Sequence, residues 1–152
     1  MREVIEKIGI VKTELNRRWL GLGIPQPFLE TTAAHTIEAA LLAVSLAEIV
    51  DECDACKVAL IALAHELDGS ECMSIAEALK EYRVSKSIEA KIVRLAHELS
   101  TLLQAGRYHR QGFRVESVMK ESLSKALDLT AEIGHAELAQ AVHEILTMLG
   151  SL

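Results

Sequence analysis

The sequence predicts a single all-α domain, residues 1–152, folded as a bundle of six or seven helices. Three observations carry that expectation. Half of the 152 residues are hydrophobic but only five are aromatic, so the core is aliphatic and rich in alanine, a composition that favours helices over strands. The only two prolines, Pro25 and Pro27, sit together, which leaves everything after them free of the strongest helix breaker. No segment alternates with period two, so no sheet is expected.

Each element follows from spacing and caps. Val4, Ile8, Val11 and Leu15 recur at helical intervals, widened by Ile5 and Leu20, and predict a first helix from Met1 to about Leu20. Gly21 to Pro27 combines two glycines with two prolines and reads as a loop. Thr31 or Thr32 caps a second helix to about Val50, apolar on nearly every face and therefore expected in the middle of the bundle. Asp51 or Asp54 caps a third helix that Gly69 ends, and Ser74-Ile75-Ala76-Glu77 has capping-box spacing for a short fourth closing near Tyr82. A fifth begins around Ser87 and carries Ile88, Ile92, Leu95, Leu99 and Leu102, fading near Gly106 or Gly112. Two more, about Val115 to Ile133 and His135 to Leu149, are separated by Gly134 as a left-handed cap.

Charge and cysteine usage narrow the function. Twenty-two acidic against sixteen basic residues give a net charge of −6, which argues against nucleic acid and anionic membrane surfaces as partners. No apolar run is long enough for a transmembrane helix, and three cysteines are too few for a disulfide framework, so a cytoplasmic protein is expected. Cys53-Asp54-Ala55-Cys56 has the spacing of a redox pair or half a zinc site, but no second pair accompanies it. The pentapeptide Leu-Ala-His-Glu-Leu occurs at Leu63 to Leu67 and again at Leu95 to Leu99, with flanks that do not match.

Of the six histidines, His35, His65 and His97 lie in strongly apolar stretches of three different helices, and Glu66 follows the second directly. Burying an imidazole without a partner is costly. Three such rings are either separately satisfied core histidines or a metal site at the centre of a bundle. His109, His135 and His143 have no convincing partners and are expected at the surface.

Several passages in order carry a resemblance to a known family. Arg17-Arg18-Trp19-Leu20-Gly21-Leu22-Gly23-Ile24-Pro25-Gln26-Pro27 resembles an Arg/Trp entry segment with a Gly-Val-Pro-x-Pro loop. Glu30-Thr31-Thr32-Ala33-Ala34-His35-Thr36 resembles Glu-Ser-Val-Ala-Glu-His-Ser, and Ala59 to Leu67 falls where a His-Asp pair ends a buried helix. Leu95-Ala96-His97-Glu98-Leu99 resembles Leu-Ala-Asp-Lys-Leu. Together, over about Arg17 to Gly112, these resemble the HD-domain metal-dependent phosphohydrolases, in their 5′-deoxynucleotidase-like branch. The resemblance implies an HD-like bundle, a divalent metal held by His35, His65, Glu66 and His97, a nucleoside 5′-monophosphate or related phosphomonoester as substrate, Arg18 and Trp19 as substrate contacts, and a homodimer as an allowed assembly.

Departures fall on the chemical positions. Both ligand aspartates are replaced, by Glu66 and His97, and the family's catalytic glutamate corresponds to Gly69, leaving Asp68 and Glu71 as the proton-transfer candidates. Three histidines and one glutamate carry less charge and more nitrogen than two His and two Asp, which disfavours magnesium and favours zinc, nickel or cobalt. If all four bind a tetrahedral ion, no position remains for water. Two readings therefore stand: a diverged phosphohydrolase, or a catalytically inactive HD-like protein with a structural metal site or a metal-free His/Glu cluster in a binding or interaction role. The Arg-Arg-Trp segment likewise reads as a substrate contact or as a snorkelling edge and core anchor.

Overall fold

The computed structural model describes residues 2–67 and 72–151 and is a single bundle of seven α-helices with no β-sheet among them. In chain order these are α1 (Arg2–Thr13), α2 (Thr32–Ala47), α3 (Ala55–Ala64), α4 (Met73–Val84), α5 (Ile88–Arg110), α6 (Glu116–Ile133) and α7 (Ala136–Ser151). Two single turns of 3₁₀ helix, Arg17–Trp19 and Gln26–Phe28, shape the segment between α1 and α2.

The first helix stops sooner than its apolar spacing predicts. After Thr13 the chain turns extended, Leu15 forms an isolated antiparallel bridge with Thr31, and Asn16 accepts a hydrogen bond from the Arg18 amide to start the next turn. The backbone bond from Thr32 N–H to Glu14 C=O, 2.8 Å, belongs to the same crossing. Side-chain caps sit where the sequence places them: Thr31 accepts from Ala34 N–H, Asp54 from Cys56 and Lys57, and Ser87 from Ala90. The Ser74 to Glu77 box is not used, because α4 already begins at Met73 with Cys72 as its cap residue.

The element in the middle is α5, not α2. It runs 23 residues, through Gly106, and buries fourteen of them against α2, α3 and α6. Its buried polar residues, Glu89, Glu98, Ser100 and Thr101, made it look less core-like than α2. The uniformly apolar α2 instead leaves one edge in solvent, with Ile37 57% and Leu41 67% exposed. A second, smaller core packs Trp19, Ile24, Ala105, Tyr108 and Val115 beneath the α1–α2 connection. Among the described residues no helix is long and apolar enough to cross a membrane.

Gly134 ends α6 at φ +70°, where its N–H bonds to Thr130 C=O. A Cβ there would meet nothing closer than the Ala131 carbonyl at 3.8 Å. Gly134→Ala is therefore expected to cost about 1 kcal/mol through backbone conformation alone. Urea unfolding measures it, and an unchanged midpoint would contradict the assignment.

Candidate metal centre

The three histidines of the apolar stretches converge. His35 stands on the first turn of α2, His97 on the middle of α5, and His65 is the C-cap of α3 with Glu66 in the turn that follows. The helix ends at Ala64, earlier than the stop expected at Gly69. One ligand atom from each of His65, Glu66 and His97 lies within 4.8 Å of the other two, a set able to chelate a divalent ion.

The nitrogen chemistry supports that use. His65 Nδ1 lies 2.5 Å from Ala62 C=O, a contact in which the ring donates. Its Nε2 is buried with no hydrogen-bond partner, although Glu66 Oε1 lies 3.2 Å away outside hydrogen-bonding geometry. An orphaned imidazole nitrogen beside a carboxylate is the arrangement that a cation satisfies. The neighbouring His65 ring holds the Glu66 carboxyl below its usual range, against the opposing effect of burial. Burial lowers His97 well below an ordinary histidine, with His35 and His65 adding in the same direction.

His35 lies next to this three-residue group, against His97. Only 2% exposed, it places Nε2 3.0 Å from His97 Nδ1, with the rings perpendicular and their centroids 4.5 Å apart. Its Nδ1 lies 3.1 Å from Ser100 Oγ, Ser100 donates to Glu38 Oε2 at 3.0 Å, and Arg107 donates to both Glu38 oxygens. Burial, then the charge of His65, pushes His35 down to about 4. His35 thus contacts His97 directly, while His65, Glu66 and His97 form the group able to chelate a divalent ion.

The substrate candidates Arg18 and Trp19 both have partners within the fold. Trp19 is 0% exposed, stacks edge-on against Tyr108 at 5.1 Å and donates its indole N–H to Glu30 Oε2 at 2.8 Å. Glu30 is itself buried, and burial raises its carboxyl. The Arg18 guanidinium donates to Glu98 Oε2 at 3.1 Å and to Ser122 Oγ at 2.7 Å, tying the entry segment to α5 and α6. Arg17, paired with Glu14, is the arginine that reaches a cavity of about 340 Å³ floored by His35, Glu66 and His97. A second cavity of about 360 Å³ opens on the other side of His97, between Tyr82, Arg94, Lys125 and Asp128. Asp68 and Glu71 lie outside the described residues, whereas α3, expected to run to Gly69, already ends at Ala64.

Ser100, Glu38, Arg107 and Glu98 were missed in the sequence. A signal existed: Ser100 follows His97 by three residues and Glu38 follows His35 by three, so each shares a helix face with its histidine. Cys53 and Cys56 form no disulfide: Cys53 is half-buried, its thiol pushed up to about 11 by burial and the nearby acidic groups, and Cys56 is exposed. Such a thiol is the opposite of an activated one.

Known proteins place the fold. The PH0347 protein from Pyrococcus horikoshii OT3 is similar over 99% of both chains, with a TM-score of 0.68 and 23% identity. A conserved hypothetical protein from Pyrococcus furiosus is similar over 92% of this chain and 99% of its own, with a TM-score of 0.66 and 20% identity. No family model and no curated protein matches the sequence. The chain is thus an all-α bundle structurally related to uncharacterised archaeal proteins and equipped with a His/His/Glu cluster.

Proposed function

We propose that the protein is an HD-like metal-binding protein in which His65, Glu66 and His97 hold one zinc, nickel or cobalt ion, and that the site serves binding and not phosphomonoester hydrolysis. The observation that carries it is the buried Nε2 of His65, without a hydrogen-bond partner and 3.2 Å from Glu66 Oε1. Two nitrogens and one carboxylate suit a transition ion better than magnesium. The residues that the resemblance would assign to substrate are otherwise engaged: Trp19 anchors a core and Arg18 joins Glu98 to Ser122.

A second reading, a diverged nucleotide phosphohydrolase, draws on the cavity beside the cluster and on the open coordination that a three-residue set leaves. When bound, a divalent ion there would supply Lewis acidity. The chain itself would contribute Arg17 to orient an anionic group, and Asp68 or Glu71 to move a proton.

Chelator-stripped protein titrated separately with Zn²⁺, Co²⁺, Ni²⁺, Mn²⁺ and Mg²⁺ tests both. One equivalent of zinc or cobalt is expected to be retained and magnesium is not, with a His65→Ala variant retaining neither and no phosphate released from nucleoside monophosphates. At ion concentrations about 100 times the dissociation constant, the unfolding free energy rises by about 2.7 kcal/mol. Uptake unaffected by His65→Ala overturns the site, and phosphate release selects the second reading.

A further inference from the structure

We infer that Ser100 and Glu38, backed by Arg107, are positioning residues that hold His35 and His97 in the tautomer protonated on Nδ1 and so leave Nε2 of His97 as its metal-binding nitrogen. This rests on the metal-binding reading for its purpose but not for its chemistry, which concerns the ion-free protein. The argument follows one proton at a time. The Glu38 carboxylate, gripped by both Arg107 nitrogens, can only accept, so the single hydroxyl proton of Ser100 is committed to it. Ser100 Oγ therefore faces His35 as an acceptor, and His35 Nδ1 must carry a hydrogen. Glu30 Oε2, 3.8 Å from the same nitrogen and already engaged by Trp19 and Asn16, is beyond hydrogen-bond reach.

A ring as buried as His35 is neutral, so its Nε2 is bare. The 3.0 Å contact between His35 Nε2 and His97 Nδ1 needs one proton, and only His97 can supply it. His97 is then protonated on Nδ1 and bare on Nε2. His65 reaches the same tautomer independently, through Ala62 C=O. The chain from Arg107 to His97 thus does by hydrogen bonds what a carboxylate does directly behind many metal-ligating histidines: it fixes which nitrogen is basic. Reversing one link reverses the rest without any change in net ring charge.

Glu38→Gln supplies that reversal. With its oxygen held by Arg107, the amide NH₂ donates to Ser100, whose proton turns onto His35 Nδ1. His35 then carries its hydrogen on Nε2 and donates to His97 Nδ1, and His97 is left protonated on Nε2. Long-range ¹H–¹⁵N spectra of chelator-treated protein read the tautomers directly, and Co²⁺ titration reads their consequence. In the wild type we expect both rings protonated on Nδ1. In Glu38→Gln we expect both protonated on Nε2, with Co²⁺ affinity lower by about 10–100-fold. Ser100→Ala, which deletes the acceptor, is expected to shift the same signals. A wild-type His97 protonated on Nε2 overturns the inference, as do tautomers unchanged in both variants. A wild type that shows the tautomers and takes up no Co²⁺ upholds the relay and removes the metal-binding reading.

Discussion

Trp19→Ala is expected to destabilise the protein by about 3–5 kcal/mol, among the largest effects of any single truncation in this fold. The side chain has no exposed surface and is the largest in the smaller core, where Tyr108, Ile24 and Val115 surround it. Its loss opens a void that its own 3₁₀ turn and the proline-containing turn after it cannot easily collapse into. It also strips the buried Glu30 carboxylate of the indole N–H, leaving the Asn16 amide as the remaining side-chain donor to that oxygen. Trp19→Phe separates the two contributions. The smaller ring keeps most of the packing but not the donor, and about 1–3 kcal/mol should remain as the cost of under-satisfying Glu30. Urea unfolding of wild type, W19F and W19A checks the ranking. A loss below about 1 kcal/mol for W19A would mean that the tryptophan is not the anchor described, and would return it to consideration as a ligand contact.

The same residue shows where sequence legibility ended. An Arg-Arg-Trp at the end of an amphipathic helix carries two readings, and nothing in the spacing distinguishes an indole facing a cavity from one facing Tyr108. The indole's packing depends on a partner eighty-nine positions later. Arg18 has the same character, because Glu98 and Ser122 lie on helices whose placement against the entry segment is a tertiary fact. Signals local in the chain were readable: the caps at Thr31, Asp54 and Ser87, the glycine stop at Gly134, and the stripe of α5. The end of α1 was not, since Leu15 and Leu20 continue the helical interval while the backbone leaves it to pair Leu15 with Thr31.

Histidines placed among apolar residues were the informative part. The cost of burying an unpaired imidazole made His35, His65 and His97 worth grouping, and the structure brings them together. What spacing could not give was the arrangement within the group, with His35 Nε2 set against His97 Nδ1. The repeated Leu-Ala-His-Glu-Leu has a similar lesson. Both copies deliver a histidine to the cluster, yet the first spans the end of α3 with Leu63 half-exposed, while the second is mid-helix with Leu95 and Leu99 fully buried. Their glutamates diverge too, Glu66 toward His65 and Glu98 toward Arg18.

Acid should unfold this protein earlier than its surface charge suggests, and His35 is one reason. The folded state holds that ring neutral down to about pH 4, because burial opposes the charged form, whereas the unfolded chain protonates it near 6.5. Between those values the unfolded state binds the extra proton, so stability is complete above about pH 6.5 and falls as pH drops. His35 alone accounts for a loss of about 3 kcal/mol by pH 4. His97, lowered in the same direction, adds to the slope, while Glu30, raised by burial, works against it. The clean quantity is therefore the difference between wild type and His35→Gln, measured by urea unfolding in chelator at pH 7.5 and pH 4.5. Wild type should lose more stability than H35Q across that interval, by about 2–3 kcal/mol. Equal slopes would show that the buried His35 ring accepts a proton in the folded state as readily as in the unfolded one, and would undo the neutral His35–His97 pair on which the geometry of the cluster depends.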